Sequence, residues 1–245
     1  MLDTLKLRIY QGEQFIKDIK NAPMREQFRG FPVISAQEAD FDISICKSNA
    51  ITLKPLSIDM GKCTFCGDCA RKCDSIKFSN YYKLASTNRE KLIITEGMIA
   101  EEYNKTAFEV NKEIKKVFGK SLKLRQVSAA GCNGCEMELN ACSNVNFDMG
   151  RFGIDFVASP RHADGIVITG PISENMAFAL EDCYKSTPNP KVVILCGACA
   201  ISGGVFQNSE KLDRTFLEKY PIDLYIPGCP VHPLTFINAI LDFIA

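Results

Sequence analysis

Apolar and polar positions in the second half of the chain alternate between two patterns. Short runs rich in Val, Ile and Leu predict five strands, at 122–129, 154–159, 165–170, 191–197 and 223–228. Stretches with helical spacing predict helices at 173–185, 210–219 and 233–244. Near-continuous apolar strands separated by helices indicate a parallel sheet that is covered on both faces. The pattern therefore predicts an α/β protein with a flavodoxin-like, doubly wound parallel sheet.

The first half of the chain has a different pattern, with short apolar runs and many turn-forming residues. Apolar side chains recur at helical spacing from Ile99 through Val110 to Val117, and they predict one connecting helix that Gly119 would end. The patterns divide the chain into four segments: an N-terminal extension at 1–30, a small α+β domain at 31–94, the connecting helix at 95–120 and the α/β domain at 121–245.

Composition is ordinary for a globular protein except for its cysteines. Of the 245 residues, 46% are apolar and 24% are charged, so a sizeable core can form. The N-terminal sequence lacks the apolar core of a signal peptide, and no apolar run reaches the ~18 residues of a membrane span. We therefore expect a cytoplasmic protein, in which disulfides are rare. Twelve cysteines in such a chain point to metal ligation.

The sequence gives no support for several other kinds of chemistry. Lys and Arg balance Asp and Glu at 29 each, and no basic block is dense enough to indicate nucleic-acid binding. Neither G-x-G-x-x-G nor the phosphate-binding G-x4-G-K-S/T pattern is present, so we expect no nucleotide cofactor. No Ser/His/Asp signature indicates a catalytic triad, and we expect no catalytic residue in this chain.

Four cysteines in "KCTFCGDCARKCDS" have the spacing C-x2-C-x2-C-x3-C: Cys63, Cys66, Cys69 and Cys73. This spacing is that of bacterial ferredoxins, in which the fourth cysteine ligates the other of two clusters. A shift of 27 residues places the motif on Ala36, Ala39, Asp42 and Cys46. Residues 31–80 therefore resemble a two-motif bacterial ferredoxin whose first motif has lost three of its four cysteines.

The ligand pattern of such ferredoxins makes Cys46 the expected fourth ligand, because the last cysteine of one motif completes the cluster of the other. The expected N-terminal cluster is one [4Fe–4S] held by Cys46, Cys63, Cys66 and Cys69. Cys73 is then left over. Lys47 and Asp74 stand where proline usually follows the fourth cysteine. The alternative is a zinc site that uses Cys73 in place of Cys46, although zinc motifs usually pair two separated C-x2-C units.

Cysteines also follow three of the predicted strands, in "GCNGCE", "LCGACA" and "IPGCP". Because the carboxyl ends of parallel strands meet at one edge, these loops converge and can form a second four-thiolate site. Spacing alone leaves Cys196 and Cys199 as rivals for one position, although Cys196 lies in an apolar strand end where a buried thiol is normal. His232 is a weaker rival for ligation, since four thiols are already available.

The motifs "GCNGCE", "FGIDFVASPRHADGIVITGP", "GACAISGGVF" and "YIPGCPVHP" resemble the small subunit of energy-converting (group 4) [NiFe] hydrogenases. The formate hydrogenlyase small subunit and the related B subunit of respiratory complex I share them, over about residues 122–245. The resemblance implies a proximal [4Fe–4S] cluster held by Cys132, Cys135, Cys199 and Cys229. Complex I B subunits carry two adjacent cysteines in the first motif, so the C-x2-C here favours the hydrogenase branch. Val231 replaces the second proline of the usual Cys-Pro-Pro.

The resemblance implies an electron-transfer subunit with two [4Fe–4S] clusters. Its partner would be a hydrogenase-type large subunit that catalyses 2 H⁺ + 2 e⁻ ⇌ H₂, with other iron–sulfur or electron-donor subunits alongside. Membrane subunits in related complexes imply peripheral attachment to the inner face of the cytoplasmic membrane. Two alternatives remain open: a complex I-like oxidoreductase without nickel, and a non-catalytic redox or zinc-stabilised module.

Several other residues near these motifs could contribute. Glu136 and Glu138 could join a proton path, although a solvated or interface helix turn is the simpler expectation. The charges of Arg161 and His162 could tune a cluster or contact a partner, and a structural hydrogen-bonding role is the alternative. We expect the two cysteines on predicted helices to be core thiols: Cys142 and Cys183.

Overall fold

The computed structural model describes residues 2–109, 112–119 and 121–245, so Val110 of the predicted connecting helix lies outside the described residues. The strands of the described part are β1 (Pro32–Ile34), β2 (Ile51–Leu53), β3 (Leu56–Asp59), β4 (Ile76–Phe78), β5 (Ile93–Thr95), β6 (Leu122–Ser128), β7 (Ile154–Phe156), β8 (Gly165–Thr169), β9 (Val192–Cys196) and β10 (Leu224–Ile226). Its α-helices are α1 (Leu2–Gln11), α2 (Asp68–Lys72), α3 (Ala100–Thr106), α4 (Lys112–Phe118), α5 (Gly134–Ala141), α6 (Glu174–Ser186), α7 (Ala198–Ser202), α8 (Phe216–Lys219) and α9 (Pro233–Phe243).

The second half forms the predicted parallel sheet. Its five strands lie in the order β10-β9-β8-β6-β7, and every neighbouring pair is parallel. All residues of β8 and β9 are buried, as expected for central strands covered on both faces. The strand order places the first strand between the second and third, which is the flavodoxin-like arrangement.

Alternate residues of the central strands enter two separate cores, one on each face of the sheet. Val167 and Ile194 pack with α4, α5 and α9. Ile166 and Leu195 pack on the other face with α6, α8 and the first half of the chain. This alternation follows from the period of two along a strand, and it confirms the predicted α/β fold.

The first half contains two similar units. In each unit two short strands flank a turn of helix: β1, a 3-10 turn at Ile43–Ile45 and β2, then β3, α2 and β4. Strands β1 and β4 pair antiparallel, and β2 pairs antiparallel with β3. This order agrees with a duplicated ferredoxin motif, while the domain boundaries remain a prediction.

The two halves of the chain share one core and one strand contact. Phe31, Ile58 and Leu92 of the first half pack in the same cluster as Ile166 and Leu195. The backbones of Ser86 and Tyr225 exchange two hydrogen bonds of 3.0 and 2.9 Å. The segment around Ser86 therefore partly covers the exposed edge of β10.

Two predicted helices differ from the structure. The single connecting helix is wrong, since α3 and α4 are separated by non-helical residues from Ala107 to Glu109. The Ala107 carbonyl accepts hydrogen bonds from Ser86 Oγ at 2.7 Å and Thr87 N at 3.1 Å, so tertiary bonds occupy the group that a longer helix would use. The helix predicted at 210–219 is only the four residues of α8.

Candidate functional site

Four of the predicted ligands line one small cavity in the first half of the chain. We call Cys46, Cys63, Cys66 and Cys69 the N-terminal thiol group. Cys46 follows the 3-10 turn at Ile43–Ile45, whereas the others come from the loop after β3 and from α2. Cys73 is not one of the described residues that line this cavity. It is the residue at which α2 ends.

Backbone amides donate hydrogen bonds to two sulfurs of the N-terminal thiol group. Ala50 N lies 3.2 Å from Cys46 Sγ, and Phe65 N lies 3.3 Å from Cys63 Sγ. Phe65 has a φ of 53°, a left-handed conformation that is uncommon for a bulky residue. Such amides stabilise the negative charge of a thiolate that binds a metal.

Burial favours the neutral form of these thiols. It raises the pKa of Cys63 well above its usual range, and it raises the pKa of Cys69 to about 11. The neighbouring Cys66 and Cys46 thiols add to both shifts. Metal binding must therefore release protons from this group.

The second set of predicted ligands lies at the carboxyl edge of the parallel sheet. We call Cys132, Cys135, Cys199 and Cys229 the edge thiol group. Burial raises the pKa of Cys199 to about 12, and Cys229, Cys135 and Cys132 contribute in that order. The geometry agrees, since a Cβ on Gly197, after β9, would lie 2.7 Å from Cys135 Sγ, after β6, and 3.5 Å from Gly228 O, after β10.

Two glycines allow the sulfurs of the edge thiol group to approach the backbone. A Cβ on Gly197 would lie 2.7 Å from Cys135 Sγ, and one on Gly204 would lie 3.0 Å from Cys199 Sγ. Both glycines also have positive φ, at 96° and 56°. Space and backbone conformation therefore both require glycine here.

Cys196 is fully buried at the end of β9, next to the edge thiol group. Its thiol hydrogen-bonds to Cys135 and holds the pKa of Cys135 below its usual value. The position agrees with the expectation of a core thiol, while its contact with Cys135 was not expected from the sequence.

Arg214 lies against the Cys199 loop and was missed by sequence reasoning. Its guanidinium donates to four carbonyls: Pro171 O at 2.9 Å, Cys199 O at 3.2 Å, Ala200 O at 2.8 Å and Ile201 O at 3.0 Å. Nothing in the local pattern "KLDRTF" distinguishes this arginine from a surface residue.

The structure corrects the expected surface position of Glu136, which is only 6% exposed. Its Oε1 accepts hydrogen bonds of 2.7 Å from both Ser128 and Thr169, so the strands beneath α5 fix this carboxylate. Glu138 is half-buried, and burial raises its pKa. Arg161 and His162 are exposed, in a 3-10 turn between β7 and β8.

His232 has a structural role in the described contacts. Its Nδ1 accepts from Leu234 N at 3.1 Å and caps α9, and its ring packs edge-on against Phe28 and Phe147. Burial lowers the pKa of His232, which favours the neutral ring that this cap requires. Of the two cysteines expected on helices, Cys142 is buried directly after α5 and Cys183 is half-buried in α6.

One thiol of each group lines a common cavity of about 490 Å³. Cys66 and Cys229 both line it, together with Phe65, Glu138 and His232. Cys66 also raises the pKa of Cys229, after burial and the edge thiols themselves. The N-terminal and edge thiol groups are therefore neighbours in the fold.

The chemistry of both thiol groups fits a four-iron cluster. A cubane takes one thiolate on each of its four irons, so the sulfurs must surround a common space rather than one ion. Each group offers four thiols, with nearby amides at the first and glycines at the second.

The parallel sheet with cysteine loops at its carboxyl edge defines the chain as an α/β protein with a thiol-rich strand edge. The chain belongs to the family described as NADH ubiquinone oxidoreductase, 20 Kd subunit, whose model matches residues 132–243. Members of this family bind an iron–sulfur cluster. Residues 1–131 lie outside that match.

Relatives come from two kinds of complex. The probable membrane-bound hydrogenase subunit mbhJ of Pyrococcus furiosus is 36% identical over 126 residues, which cover 51% of this chain and 75% of that protein. Formate hydrogenlyase subunit 7 of Escherichia coli is 43% identical over 108 residues, 44% of this chain and 42% of that one. The B subunit of NADH-quinone oxidoreductase from Citrifermentans bemidjiense is 41% identical over 107 residues, 44% of this chain and 62% of that one.

A solved structure titled as the membrane-bound sulfane sulfur reductase, an archaeal respiratory membrane complex, contains a chain that is 31% identical. The match covers 54% of this chain and 72% of that chain, with a TM-score of 0.45. No helix among the described residues has the length and hydropathy to cross a bilayer. The sequence relatives identify the chain as a subunit of hydrogenase-like or complex I-like complexes.

Proposed function

We propose that the chain is the electron-transfer subunit of a multisubunit [NiFe]-hydrogenase-type complex and holds two [4Fe–4S] clusters. The N-terminal thiol group would ligate one cluster and the edge thiol group the other. Bound clusters would each accept and pass on one electron, between a donor subunit and a catalytic large subunit where 2 H⁺ + 2 e⁻ ⇌ H₂ takes place. No catalytic residue is assigned to this chain.

The main support is the common cavity lined by Cys66 and Cys229. Electron transfer between two centres requires a short separation, and one member of each thiol group faces this cavity. The sequence predicted two clusters that pass electrons in series, but its spacings did not say which cysteines would lie nearest each other. A relay across this cavity would account for the attachment of a ferredoxin-like segment to a 20 kDa-type subunit.

In this function the chain's own residues would ligate the clusters, shield their sulfurs from water and hold the cysteine side chains in place. The amides of Ala50 and Phe65 donate to the sulfurs of the N-terminal thiol group and offset their negative charge. Burial of Cys63 and Cys69 keeps water from two of its four sulfurs, whereas Cys46 is half-buried and Cys66 is exposed. At the sheet edge, Gly197 and Gly204 leave room for sulfur beside the backbone. Burial and hydrogen bonds of this kind set the reduction potential of a bound cluster.

Iron and acid-labile sulfide in the anaerobically purified protein test the clusters. Two cubanes predict about eight irons and about eight sulfides per chain. Cys46→Ser should reduce both by about half, whereas Cys73→Ser, the matched control, should leave them unchanged. Loss of iron in Cys73→Ser but not in Cys46→Ser would contradict the proposed ligand set, and zinc without sulfide would contradict an iron–sulfur function.

A complex I-like oxidoreductase without nickel is the second candidate, supported by the identity with the B subunits of NADH-quinone oxidoreductases. The partner subunits distinguish the two. A co-purifying large subunit with two C-x2-C pairs, together with H₂-dependent dye reduction, is expected for the hydrogenase type. A large subunit without those cysteines would exclude the hydrogenase reaction and leave the complex I-like one.

A further inference from the structure

Arg214 joins two loops at the carboxyl edge of the parallel sheet. One pair of its hydrogen bonds reaches Pro171 O, after β8, and Cys199 O, in α7. The other pair reaches Ala200 O and Ile201 O, also in α7. The arginine itself lies outside α7, just before α8, so these bonds hold the cysteine loop from a separate segment of the chain.

Two carbonyls at the end of α7, those of Ala200 and Ile201, take their donors from outside the helix. Helix α7 has only five residues, and the last carbonyls of a helix have no partner within it. Gly203 N donates to Cys199 O at 2.8 Å, and Arg214 supplies the donors for the next two carbonyls. Such a short helix is not stable alone, so the position of Cys199 depends on contacts from outside α7.

The Pro171 bond extends this support towards the first cysteines of the edge thiol group. A Cβ on Gly131 would lie 3.4 Å from Pro171 Cδ, so the Gly131 backbone packs against the loop that Arg214 holds. Gly131 directly precedes Cys132. One guanidinium therefore braces the Cys199 loop against a loop that packs beside the Cys132 segment.

The charge of Arg214 is not neutralised by a carboxylate in the described ion pairs, none of which includes it. The neighbouring Asp213 carboxylate instead accepts from the backbone and hydroxyl of Thr215. Arginine keeps its charge in proteins, so a full positive charge lies half-buried beside Cys199. Burial lowers the pKa of Arg214, and the Cys199 thiol acts in the opposite sense.

We propose that Arg214 is a positioning residue of the edge thiol group, which fixes the Cys199 loop through four carbonyls and supplies a positive charge that favours the reduced state of a cluster bound there. The inference rests on the proposed function. Taking up one electron from a reductant makes a bound cluster more negative by one charge. A nearby cation stabilises that state relative to the oxidised one, and so raises the midpoint potential.

Two variants separate the hydrogen bonds from the charge. Arg214→Met removes both, at a similar side-chain length. Arg214→Lys keeps the positive charge, but a single ammonium cannot reproduce the planar guanidinium that reaches four carbonyls. Arg151→Met is the matched control, because Arg151 also donates to a backbone carbonyl, that of Ile16, and packs on Phe15 and Phe152 rather than on a cysteine loop.

The full chain in its purified complex is the sample, and two measurements are made on each variant. The first is the rate at which visible absorbance and iron are lost to a chelator, which reports on ligand positioning. The second is the midpoint potential of each cluster, from a dithionite titration followed by electron paramagnetic resonance. Far-ultraviolet circular dichroism shows whether each variant is folded.

Both Arg214 variants should lose iron to the chelator several-fold faster than the unchanged protein and Arg151→Met. Only Arg214→Met should also lower the midpoint potential of one cluster, leaving the other unchanged. Chelation rates and potentials equal to those of Arg151→Met would overturn the inference, and equal potential shifts in Arg214→Met and Arg214→Lys would overturn its charge component. If the unchanged protein holds no cluster at the sheet edge, the proposed function fails instead.

Discussion

Single residues at the sheet edge decide whether four sulfurs can surround a common space. Gly197 is the clearest case, because a side chain there would meet Cys135 Sγ at 2.7 Å as well as strain the backbone. The sequence showed glycines beside the cysteines, and the fold explains why two of them are needed. Cys196, by contrast, is recognisable from the sequence only as a buried thiol. Its hydrogen bond to Cys135 depends on how α5 packs on β9.

Gly197→Ala is predicted to remove the iron held by the edge thiol group. Gly97→Ala is its matched control, since Gly97 also has a positive φ, 76°, but nothing lies within 4 Å of its added methyl. Backbone strain adds to the clash at Gly197, whose φ of 96° and ψ of 156° lie in a region that only glycine readily adopts and that costs a side chain about 1–3 kcal/mol, whereas Gly97→Ala costs about 1 kcal/mol. Iron should fall from about eight to about four per chain only in Gly197→Ala, and equal iron contents in the two variants would refute the steric argument.

At the scale of elements, hydrophobic period and cysteine position predicted the five parallel strands and the loops that follow them. That signal is strong because buried central strands are apolar throughout, whichever side chains the other elements present. The prediction of a single connecting helix was wrong because the outcome depends on residues far away in the chain. The Ala107 carbonyl accepts hydrogen bonds from Ser86 and Thr87, and sequence periodicity carries no information about such distant donors.

Helix α9 depends on an unusual cap, which predicts a pH effect. The Nδ1 of His232 accepts from Leu234 N, and protonation would remove that acceptor. Burial lowers the folded-state pKa of His232, so the unfolded chain binds the proton more readily and stability falls as pH drops below about 6.5. The loss should approach the value of one helix cap, about 1 kcal/mol.

His232→Asn isolates this effect, because asparagine retains a capping oxygen but does not titrate in this range. Melting temperatures of the unchanged protein and the variant are measured from pH 5.5 to 7.5. The unchanged protein should be the more stable at the upper end, where its neutral ring caps α9 and packs on Phe28 and Phe147, and this advantage should shrink towards the lower end as the cap is lost. Parallel curves across the whole range would show that the cap does not titrate.

At the scale of the whole molecule, the structure brings together what the sequence could only place in separate segments. The N-terminal extension, the ferredoxin-like units and the parallel sheet share cores, and Ser86 pairs with Tyr225 at the sheet edge. The cavity that Cys66 and Cys229 share and the contacts of Arg214 both arise from this packing. Neither follows from local spacing, since each joins residues far apart in the chain.

Anomalous X-ray scattering at the iron edge, from crystals of the anaerobically purified protein, tests the two-cluster account most directly. We predict two compact iron peaks, one surrounded by Cys46, Cys63, Cys66 and Cys69 and the other by Cys132, Cys135, Cys199 and Cys229. The space between them should border the cavity that Cys66 and Cys229 share. A single peak, or a zinc signal bound by Cys63, Cys66, Cys69 and Cys73, would contradict the account.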